Sequence, residues 1–547
     1  MSNNSPQVAY FCMEYGLDER MPLYAGGLGI LAGDFLKAAK KTKAPVVGIG
    51  IWWKQDYTHQ FINEEGYPYD TFPQNENYEF LEDTNTEITL QLKNNEITCK
   101  IFKVTAFDNA PLYLLDARMP EEQKKSPTSK LYSGDDRQRI AQEIILGIGG
   151  IRALRKLGIK VDKYHFNEGH AAFAGFELIR EQMEDNGLDF EEARNKIRKK
   201  IVFTTHTPVP AGNETHELSK LKTAGESCGL GRKQLEKIGG NPFNMTAACL
   251  KMASIANGVS QKHQKTAQKM WSGLQDSAPI IAVTNGVNQE TWQSTKIKNS
   301  FQNSFAHLWD IHRELKNNLV DYISQKTDAR MKPENIIIGF ARRAAPYKRS
   351  ELIFRDTKQI EEFLHQGKLQ LVFSGKAHPD DHYGKNIVAR LVKMDKKFAD
   401  SIVFLENYDM EIARYLVQGC DVWLNNPRRP LEASGTSGMK VALNGGLNLS
   451  VLDGWVVEGI NHGENGWILD EVHHEFADNL KQDEKDYRAL YKILKEEVIP
   501  LYYDNRPQWI KMMQASIEMA QEKFTAERMI NEYFEKMYKK DMAPALD

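Results

Sequence analysis

The sequence predicts an α/β fold with two domains, each built around a parallel β-sheet. The chain of 547 residues is longer than one hydrophobic core usually supports, which favours two large domains. In both halves, short apolar segments typical of buried strands alternate with amphipathic segments typical of helices, and this alternation indicates parallel sheets. A charged helical stretch at residues 300–326 separates the two series, so we place the boundary near residue 290. The predicted domains are 1–290 and 291–515, followed by a C-terminal helix at 516–547.

A glycine loop that leads into a helix is the first notable element of the chain. Leu28, Leu31, Phe35 and Ala38 recur at helical spacing directly after the Gly26-Gly27 pair. The start of such a helix presents backbone amides to an anion, although a tight turn uses the same glycines. Further along the first half, the pattern predicts helices at 138–157 and 171–184 and strands at 46–62, 87–107, 164–166, 200–206 and 280–284.

The second half repeats the alternation of strands and helices. Its predicted strands are 335–340, 369–373, 402–405, 421–424 and 447–451. The tail from 508 to 542 is mostly amphipathic helix, long enough to reach another domain.

Composition excludes several classes of protein. The net charge of -3 gives no general basis for binding nucleic acid or an anionic membrane. The five cysteines are scattered without a C-x-x-C pair, which argues against a disulfide framework and against a zinc site, so no metal is expected. The N-terminus lacks the pattern of a signal peptide, and the longest apolar run, 46–53, is too short to cross a bilayer. A soluble, cytoplasmic protein is therefore expected.

Polar clusters follow three of the predicted strands in the first half. They are Asn167–His170, Thr204–Pro208 and Thr284–Val287. Each cluster alone is typical of loop or capping chemistry. Because ligands of open α/β sheets collect beyond the carboxyl ends of the strands, three clusters at equivalent ends predict a ligand cleft.

A basic cluster directly follows the first strand of the second domain. Arg342, Arg343, Lys348 and Arg349 place four cations within eight residues of a nearly neutral protein. A solvated basic loop is the alternative, but the position at a strand end favours an anion pocket. Together with the glycine loop and the Thr436–Lys440 run, this gives three features suited to anions, so two phosphate groups close together are expected.

The run from Arg429 to Gly446 is the stretch around which the chain is organised. It begins after a predicted buried strand and continues with small residues, of which Ser434 or Thr436 could cap a helix. Lys440 would lie inside that helix among apolar neighbours, where its pKa could be depressed as Schiff-base lysines require. On these residues alone, a lysine that snorkels to water is the simpler interpretation. The spacing is not that of a phosphate-binding P-loop.

Taken in order, these motifs resemble those of the α-glucan phosphorylases, the family of glycogen, starch and maltodextrin phosphorylases. The resemblance runs from Gly26 to beyond Glu458. It rests on Gly26-Gly27-Leu28-Gly29, Thr284-Asn285-Gly286 with Trp292, Arg342-Arg343 with Tyr347-Lys348-Arg349, Glu406-Asn407-Tyr408, and Glu432-Ala433-Ser434-Gly435-Thr436 through Met439-Lys440 to Leu443-Asn444-Gly445. The last run closely follows the family's pyridoxal-phosphate signature.

The resemblance implies a fold and an activity. The fold is two Rossmann-like domains that face each other across a cleft, the GT-B glycosyltransferase architecture, with the C-terminal helix crossing back to the first domain. The reaction is reversible, retaining phosphorolysis of terminal α-1,4-glucosyl units of an α-glucan, which yields α-D-glucose 1-phosphate. Pyridoxal 5'-phosphate is the implied cofactor, and its 5'-phosphate relays a proton to or from the substrate orthophosphate. A homodimer is also suggested by the resemblance.

The resemblance also implies roles for individual residues. Lys440 holds the cofactor as a Schiff base, and Arg343, Lys348 and the Gly27 amide contact the substrate phosphate. The remaining cofactor contacts are Arg342, Thr436, the Ser437 amide, Tyr408 and Trp292. The glucose pocket is formed by Glu432, Ala433, Ser434, Gly435, Asn285, His170 and Leu28.

The sequence departs from the longer members of the family at several positions. Ile30 follows the glycine loop in place of arginine, Ala344-Ala345-Pro346 replaces a more polar run, and Ser437-Gly438 replaces Gly-Asn. Only 25 residues precede Gly26, so the extension that carries phosphorylation and nucleotide control is not expected, and neither is that regulation.

Three other functions compete with phosphorolysis. A sugar-nucleotide-dependent glucan synthase of the same architecture would have a second glutamate eight positions after Glu432, where this chain has Lys440. A non-catalytic glucan-binding protein is disfavoured because Lys440, Arg343 and Lys348 are all retained. An amino-acid-transforming pyridoxal enzyme is disfavoured because no partner for the ring nitrogen can be placed.

Overall fold

The computed structural model describes residues 5–75, 78–93, 95–118, 126–209, 212–303, 305, 307–469 and 478–539. The chain forms two compact units, each with its own hydrophobic core. Unit 1 comprises the described residues within 1–57, 72–284 and 526–547, and unit 2 comprises those within 58–71 and 285–525. The main division therefore lies at Thr284/Asn285, and the chain also passes between the units at 57/58, 71/72 and 525/526.

Twenty-one strands are found in the described residues. In chain order they are β1 (Val8–Phe11), β2 (Tyr15–Gly16), β3 (Pro22–Leu23), β4 (Val46–Ile51), β5 (His59–Ile62), β6 (Pro68–Thr71), β7 (Glu82–Leu92), β8 (Asn95–Val104), β9 (Leu112–Arg118), β10 (Lys163–Asn167), β11 (Ile201–Thr204), β12 (Thr215–His216), β13 (Phe243–Asn244), β14 (Ile255–Gly258), β15 (Ile280–Ala282), β16 (Ile336–Ala341), β17 (Leu369–Ser374), β18 (Ile402–Leu405), β19 (Val422–Asn425), β20 (Leu447–Ser450) and β21 (Gly466–Ile468).

The same part of the chain contains twenty-one α-helices. They are α1 (Gly27–Lys41), α2 (Asp136–Ile144), α3 (Gly150–Lys156), α4 (Phe173–Asn186), α5 (Phe190–Arg198), α6 (Leu218–Ala224), α7 (Arg232–Gly239), α8 (Met245–Met252), α9 (Gln261–Trp271), α10 (Gln289–Trp292), α11 (Thr295–Gln302), α12 (Leu308–Lys326), α13 (Glu361–His365), α14 (His382–Lys397), α15 (Met410–Gly419), α16 (Ser437–Leu443), α17 (Val456–Gly459), α18 (Asn479–Ile493), α19 (Ile499–Asp504), α20 (Arg506–Lys523) and α21 (Ala526–Lys536). No helix in the described ranges is long and apolar enough to cross a membrane.

Unit 1 is built on a nine-stranded sheet with the order β15-β14-β11-β10-β1-β4-β9-β8-β7. From β15 to β9 all pairs are parallel, and β8 and β7 extend this edge in antiparallel fashion. In chain order the parallel strands follow 3-2-1-4-5-6-7, so the connections reverse direction between β1 and β10. Ligands of doubly wound sheets bind beyond the strand ends at such a switch point. The sheet thus places the residues after β1 and β10 at a candidate site.

Three strands of this sheet, β1, β9 and β14, were not predicted from the sequence. β1 pairs with both β4 and β10 at the centre of the sheet, and all four of its residues are buried. It is short and lies beside a polar N-terminus, so its pattern is weak. β14 has the sequence Ile-Ala-Asn-Gly, in which only the first residue is β-branched.

The predicted helix at 138–157 is interrupted in the structure. α2 ends at Ile144, a π-helical turn covers Ile145–Gly149, and α3 starts at Gly150. A Cβ on Gly147 would lie 2.5 Å from the backbone nitrogen of Ala174, and one on Gly150 would lie 2.6 Å from the Phe11 ring. The glycines allow this irregular helix to pack closely against α4 and the sheet, which periodicity alone does not indicate.

Unit 2 contains a fully parallel six-stranded sheet with the order β18-β17-β16-β19-β20-β21. The chain order is 3-2-1-4-5-6, with the switch point between β16 and β19. Both strands are buried throughout, which explains their nearly continuous apolar sequences. This topology places the segments after Ala341 and Asn425 side by side. The prediction of an α/β protein with parallel sheets is confirmed.

A hairpin from the first half of the sequence belongs to unit 2. One face of β5 and β6 binds this unit: the Gln60 side chain exchanges two hydrogen bonds with the backbone of Ala377, and Asp70 pairs with Lys385 at 2.5 Å. This excursion was not predictable from the sequence pattern, because the partners of Gln60 and Asp70 lie more than 300 positions away.

The tail contributes to both units. α20 belongs to unit 2, and α21 with the residues after it belongs to unit 1. There, Tyr538 OH lies 2.6 Å from His165 Nδ1, and Tyr533 OH accepts a hydrogen bond from the Asn257 amide. The last described residue is 539, so the end of the predicted tail helix lies outside the described residues.

Candidate functional site

The switch point of unit 2 brings a cation and an amide together. Arg342 follows β16, and Asn425 ends β19. Arg342 Nη1 donates to Asn425 Oδ1 at 2.6 Å, and the Asn425 amide nitrogen donates to Ser450 Oγ at 2.8 Å. The guanidinium is therefore held in place at the carboxyl edge of the sheet by its neighbouring strands.

Two of the predicted cations converge on Glu432. Its Oε2 lies 2.5 Å from Lys348 Nζ and 3.0 Å from Arg342 Nη2, and all three side chains are nearly buried. Burial opposes ionisation of the carboxyl, but Lys348 and Arg342 outweigh it and hold the pKa of Glu432 below its usual range. Two cations thus share one carboxylate, so the three side chains of Arg342, Lys348 and Glu432 together carry a net positive charge.

The remaining cations of the predicted anion pocket have different surroundings. Arg343 is exposed. Arg349 is buried and donates to Asp483 and Asp486 at 2.9 and 2.6 Å, as well as to the backbone carbonyls of Asn426 and Pro427. The expectation that all four cations form one pocket is wrong for Arg349, because the two aspartates of α18 draw it into a separate ion-pair network.

The loop from Glu432 to Thr436 is held from behind by the segment after β20. Glu432 N–H donates to Asp453 Oδ2 at 2.8 Å, while Trp455 donates from its backbone to Ser434 O and from its indole to Gly435 O. Gly435 has a φ of +85°, in the left-handed region that favours glycine. Ser434 Oγ is buried and has no hydrogen-bond partner among the described residues. A polar ligand would satisfy this hydroxyl.

The helix that follows the loop is not capped as expected. α16 begins at Ser437, and Thr436 at the N-cap position makes no side-chain hydrogen bond to it. Thr436 has helical backbone angles, which turn its hydroxyl away from the geometry of a cap. The predicted capping role of Ser434 or Thr436 is therefore wrong. Instead, Ser437 Oγ accepts a hydrogen bond of 3.0 Å from the Trp423 indole.

Lys440 is buried, and its side-chain amine lies against the ring of Trp292. Its Nζ lies 3.5 Å from the centre of the Trp292 ring, within the range of a cation–π contact. The Asn444 amide nitrogen donates to the carbonyls of both Trp292 and Lys440, at 2.9 Å each, and Asn444 Oδ1 accepts from the Ser294 N–H. Asn444 therefore links the backbone of Trp292 to the backbone of Lys440. A buried amine beside a flat aromatic face fits the predicted pyridoxal ring.

Two further predicted site residues lie in unit 2. Tyr408 follows β18, and burial together with Asp409 raises the pKa of its phenol, while nearby Arg342 opposes the shift. Asn285 is buried at the start of unit 2. The structure thus brings Arg342, Lys348 and Glu432 together, with Tyr408 close enough for Arg342 to affect its phenol. Lys440 lies on α16, the helix that continues from the Glu432 loop, and contacts Trp292 at the end of α10.

The other predicted site residues lie in unit 1. Gly27 and Leu28 form the first turn of α1, and Gly27 is exposed. His170 follows β10 in a 3₁₀ turn, with its ring centre 5.5 Å from that of Tyr132 and its Nε2 3.8 Å from Glu214 Oε2. Burial lowers the pKa of His170 to about 4, so the imidazole is neutral at physiological pH.

The acidic side chains near His170 are already paired with basic ones. Arg139 binds both carboxylate oxygens of Glu214, and His216 Nε2 lies 2.7 Å from Glu143 Oε2. Glu143, Glu214 and His216 lie close enough together to be considered as metal ligands. The guanidinium already neutralises Glu214, which makes the group less suited to holding a cation.

Sequence reasoning missed several residues that shape these sites. In unit 2 they are Asn425, Asn444 and Asp453, and in unit 1 they are Glu14 and Tyr132. Asn425 and Glu14 follow from strand order, because each lies at or just after the end of a strand next to a switch point. Asp453 and Tyr132 lie in loops and give no comparable signal.

Fold and site together define an enzyme of the class that acts on sugars and phosphate: two doubly wound sheets, with clustered cations and a buried lysine at the switch point of one. Residues 245–469 match the family model described as carbohydrate phosphorylase. The chain is 38% identical to the maltodextrin phosphorylase of Thermococcus litoralis, an alignment that covers all of this chain and 72% of the relative.

Two further relatives agree. The glycogen phosphorylase of Mycobacterium tuberculosis is 38% identical across 97% of this chain and 70% of its own length. That of Aquifex aeolicus is 33% identical across 97% of this chain and 86% of its own length. The chain belongs to the carbohydrate phosphorylase family, in the group of the α-glucan phosphorylases, and the resemblance predicted from the motifs is confirmed.

Proposed function

We propose that the protein is an α-1,4-glucan phosphorylase, a glycosyltransferase that transfers the terminal glucosyl unit of glycogen, starch or maltodextrin to orthophosphate. The products are α-D-glucose 1-phosphate and a shortened glucan, formed reversibly and with retention of configuration. The observation that carries the proposal is the group of Arg342, Lys348 and Glu432 at the switch point of unit 2, in which Glu432 lies on the loop that leads to Lys440. Family membership supports the same activity.

Pyridoxal 5'-phosphate is the cofactor that we propose for the buried lysine. Lys440 would hold it, Trp292 would cover it, and Arg342, Tyr408, Thr436 and the Ser437 amide would complete its contacts. The fit rests on the amine buried 3.5 Å from an aromatic ring centre and on the guanidinium at the neighbouring strand end. When bound, the cofactor supplies a phosphate group that exchanges a proton with the substrate phosphate.

The substrate phosphate would lie beside the cations that the loop leaves available. Arg343 is exposed next to Arg342. The Lys348 ammonium has three N–H donors and is paired with Glu432, so it can bind a phosphate while it keeps its contact with Glu432. The Gly27 amide, at the positive end of α1, would add a neutral donor. Positive groups fixed in advance stabilise the phosphate charge as positive charge develops on the sugar.

The glucosyl unit would be bound by the small-residue loop and by neutral donors. The second oxygen of Glu432 can accept a hydrogen bond from a sugar hydroxyl, and the buried Ser434 Oγ is available to another hydroxyl. Ala433 and Gly435 would contribute backbone groups, and Asn285, His170 and Leu28 would complete the pocket. Because His170 is neutral, it can hydrogen-bond the sugar without adding positive charge next to a cationic transition state.

This function requires the two units to act together. We propose that they face each other across a cleft in the GT-B arrangement, with the helix after α20 crossing back to unit 1. We also propose a homodimer by analogy with the family. The cytoplasmic location stays a prediction.

Phosphate-dependent release of glucose 1-phosphate from maltodextrin tests the proposal. We expect release with phosphate and none without it, cofactor absorbance in the purified protein, and borohydride trapping at Lys440. Lys440→Ala should abolish release and trapping, whereas Lys511→Ala, which removes an exposed lysine of α20, should do neither. Full activity of Lys440→Ala would overturn the proposal, as would transfer from a sugar nucleotide without phosphate.

A further inference from the structure

Glu14 lies beneath the glycine loop of unit 1 and binds it at three backbone positions. Its carboxylate follows β1 and is 3% exposed. Oε2 accepts hydrogen bonds from Ala25 N–H at 2.7 Å and Gly26 N–H at 3.1 Å, and the Gly29 N–H also donates to the carboxylate. A side chain outside the helix therefore does what an N-cap residue usually does, because Gly26 has no side chain to do it.

Tyr132 holds the other oxygen of the same carboxylate. Its hydroxyl donates to Glu14 Oε1 at 2.7 Å, and the Arg139 guanidinium lies 4.8 Å over its ring. Tyr132 has a φ of +55°, an unfavourable backbone conformation for an aromatic residue. Such strain persists only where the surrounding structure fixes it. The loop that carries Tyr132 is thus shaped so that its hydroxyl reaches Glu14 while its ring contacts His170.

The glycines of the loop differ in what their missing side chains allow. A Cβ on Gly29 would lie 2.8 Å from Glu14 Oε2 and 2.6 Å from Tyr24 Cβ, so only glycine lets the carboxylate approach. A Cβ on Gly26 or Gly27 would meet nothing within 4 Å. One side of the loop is therefore packed against Glu14, and the space at Gly26 and Gly27 is open.

The hydrogen bonds decide which amides can face that open space. A helix leaves its first N–H groups without intrahelical acceptors. In α1, Gly29 N–H donates to Glu14 and Ile30 N–H donates to Gly26 O at 3.3 Å. Within the described residues, this leaves the amides of Gly27 and Leu28 for an external acceptor.

We propose that Glu14 is a positioning residue: together with Tyr132, it fixes the glycine loop so that the Gly27 amide points at the substrate phosphate and the Leu28 amide stays available to the glucosyl unit beside it. The inference rests on the proposed function. Burial raises the pKa of Glu14, and its hydrogen bonds from Tyr132 and the loop amides oppose the rise. Glutamine at this position keeps an oxygen for the amides and a nitrogen that can donate to the Tyr132 oxygen, so the geometry rather than the charge is needed.

The test separates Michaelis constants for the two substrates. Glu14→Ala should raise the KM for phosphate about tenfold, a loss of about 1.4 kcal/mol of binding, with the KM for maltodextrin changed less than twofold. Tyr132→Phe should raise the phosphate KM about threefold, and Glu14→Gln should stay within about threefold of wild type. Glu181→Gln and Tyr113→Phe, which change a surface ion pair and a half-buried tyrosine of unit 1, are the matched controls.

Amide hydrogen exchange of residues 24–31 gives a readout that does not need activity. Glu14→Ala should speed exchange of this segment while the rest of α1 stays protected, and Glu14→Gln should restore the protection. The proposal fails if Glu14→Ala leaves the phosphate KM and this exchange unchanged, or if both Michaelis constants rise by the same factor. A wild-type protein without phosphorolysis would refute the proposed function instead, and the exchange rates alone would then decide whether Glu14 fixes the loop. If Glu14→Ala does not fold, Tyr132→Phe decides: the proposal then fails if this variant leaves both the phosphate KM and the exchange of residues 24–31 unchanged.

Discussion

Lys348 Nζ lies 2.5 Å from Glu432 Oε2, and both side chains are almost fully buried. Arg342 contacts the same oxygen, so this one carboxylate offsets the cost of burying two cations inside the protein. Two cations against one carboxylate suit the phosphate that we propose to bind there, and Glu432 holds both donors in position.

Replacing Glu432 by glutamine should destabilise the protein and make its stability depend on phosphate. Removing one partner from a buried ion pair costs about 3–5 kcal/mol, of which the retained amide recovers a part. Because inorganic phosphate can replace the missing negative charge, it should raise the melting temperature of Glu432→Gln more than that of wild type. Thermal unfolding in phosphate and in chloride of equal ionic strength measures the difference.

Glu518→Gln, at an exposed position of α20, is the control for loss of a carboxylate. It should match wild type in both buffers. An equal response of Glu432→Gln and wild type to phosphate would contradict the idea that the carboxylate occupies an anion position.

The cluster around Glu432 illustrates what sequence can and cannot predict. Apolar strands followed directly by Arg342 and by the Glu432 loop predicted that both lie at the edge of one parallel sheet, which the structure confirms. The partners of the Arg349 side chain were not predictable, because it binds Asp483 and Asp486, which lie more than 130 positions away. Glu14 was missed for a different reason: strand order would have indicated its position, but β1, the strand that it follows, was not recognised.

Removing the Trp292 ring should weaken retention of the cofactor that we propose at Lys440. The Trp292→Leu variant loses the aromatic face 3.5 Å from Nζ, whereas Trp292→Phe keeps a smaller one. We expect the leucine variant to lose cofactor absorbance on dialysis at least about tenfold faster than wild type, corresponding to about 1.4 kcal/mol, and the phenylalanine variant to lie between them. Identical retention in all three proteins would show that the ring does not cover the cofactor.

Gly435→Ala should lower activity through the backbone. At a φ of +85° alanine is strained by about 1–2 kcal/mol, and its Cβ would lie 3.3 Å from Glu432 Cγ. The loop can relieve the strain only by moving the glutamate, so kcat/KM should fall at least about tenfold, which corresponds to a loss of about 1.4 kcal/mol.

Gly187→Ala is the matched control for this strain. Gly187 ends α4 with a φ of +65°, and a Cβ there meets nothing within 4 Å. It should lower the free energy of unfolding by a similar amount and leave kcat/KM unchanged. If both variants keep full activity, the loop does not require the left-handed conformation for function.

His165 should make the stability of unit 1 sensitive to mild acid. Its ring lies between Tyr538 OH and Thr204 Oγ1, and burial, with a smaller contribution from His206, lowers its pKa to about 3. The unfolded chain takes up a proton at this position near pH 6.5, whereas the folded protein does so only near the lowered value. Stability therefore falls as the pH drops through this window, by up to about 1.4 kcal/mol per pH unit for this group.

Urea unfolding between about pH 7 and about pH 5 measures this effect. The free energy of unfolding of His165→Gln should depend less steeply on pH than that of wild type, although the variant is less stable at neutral pH. His365→Gln, at an exposed site of α13, is the control and should keep the wild-type dependence. An equal slope in His165→Gln and wild type would mean that another group controls the acid response.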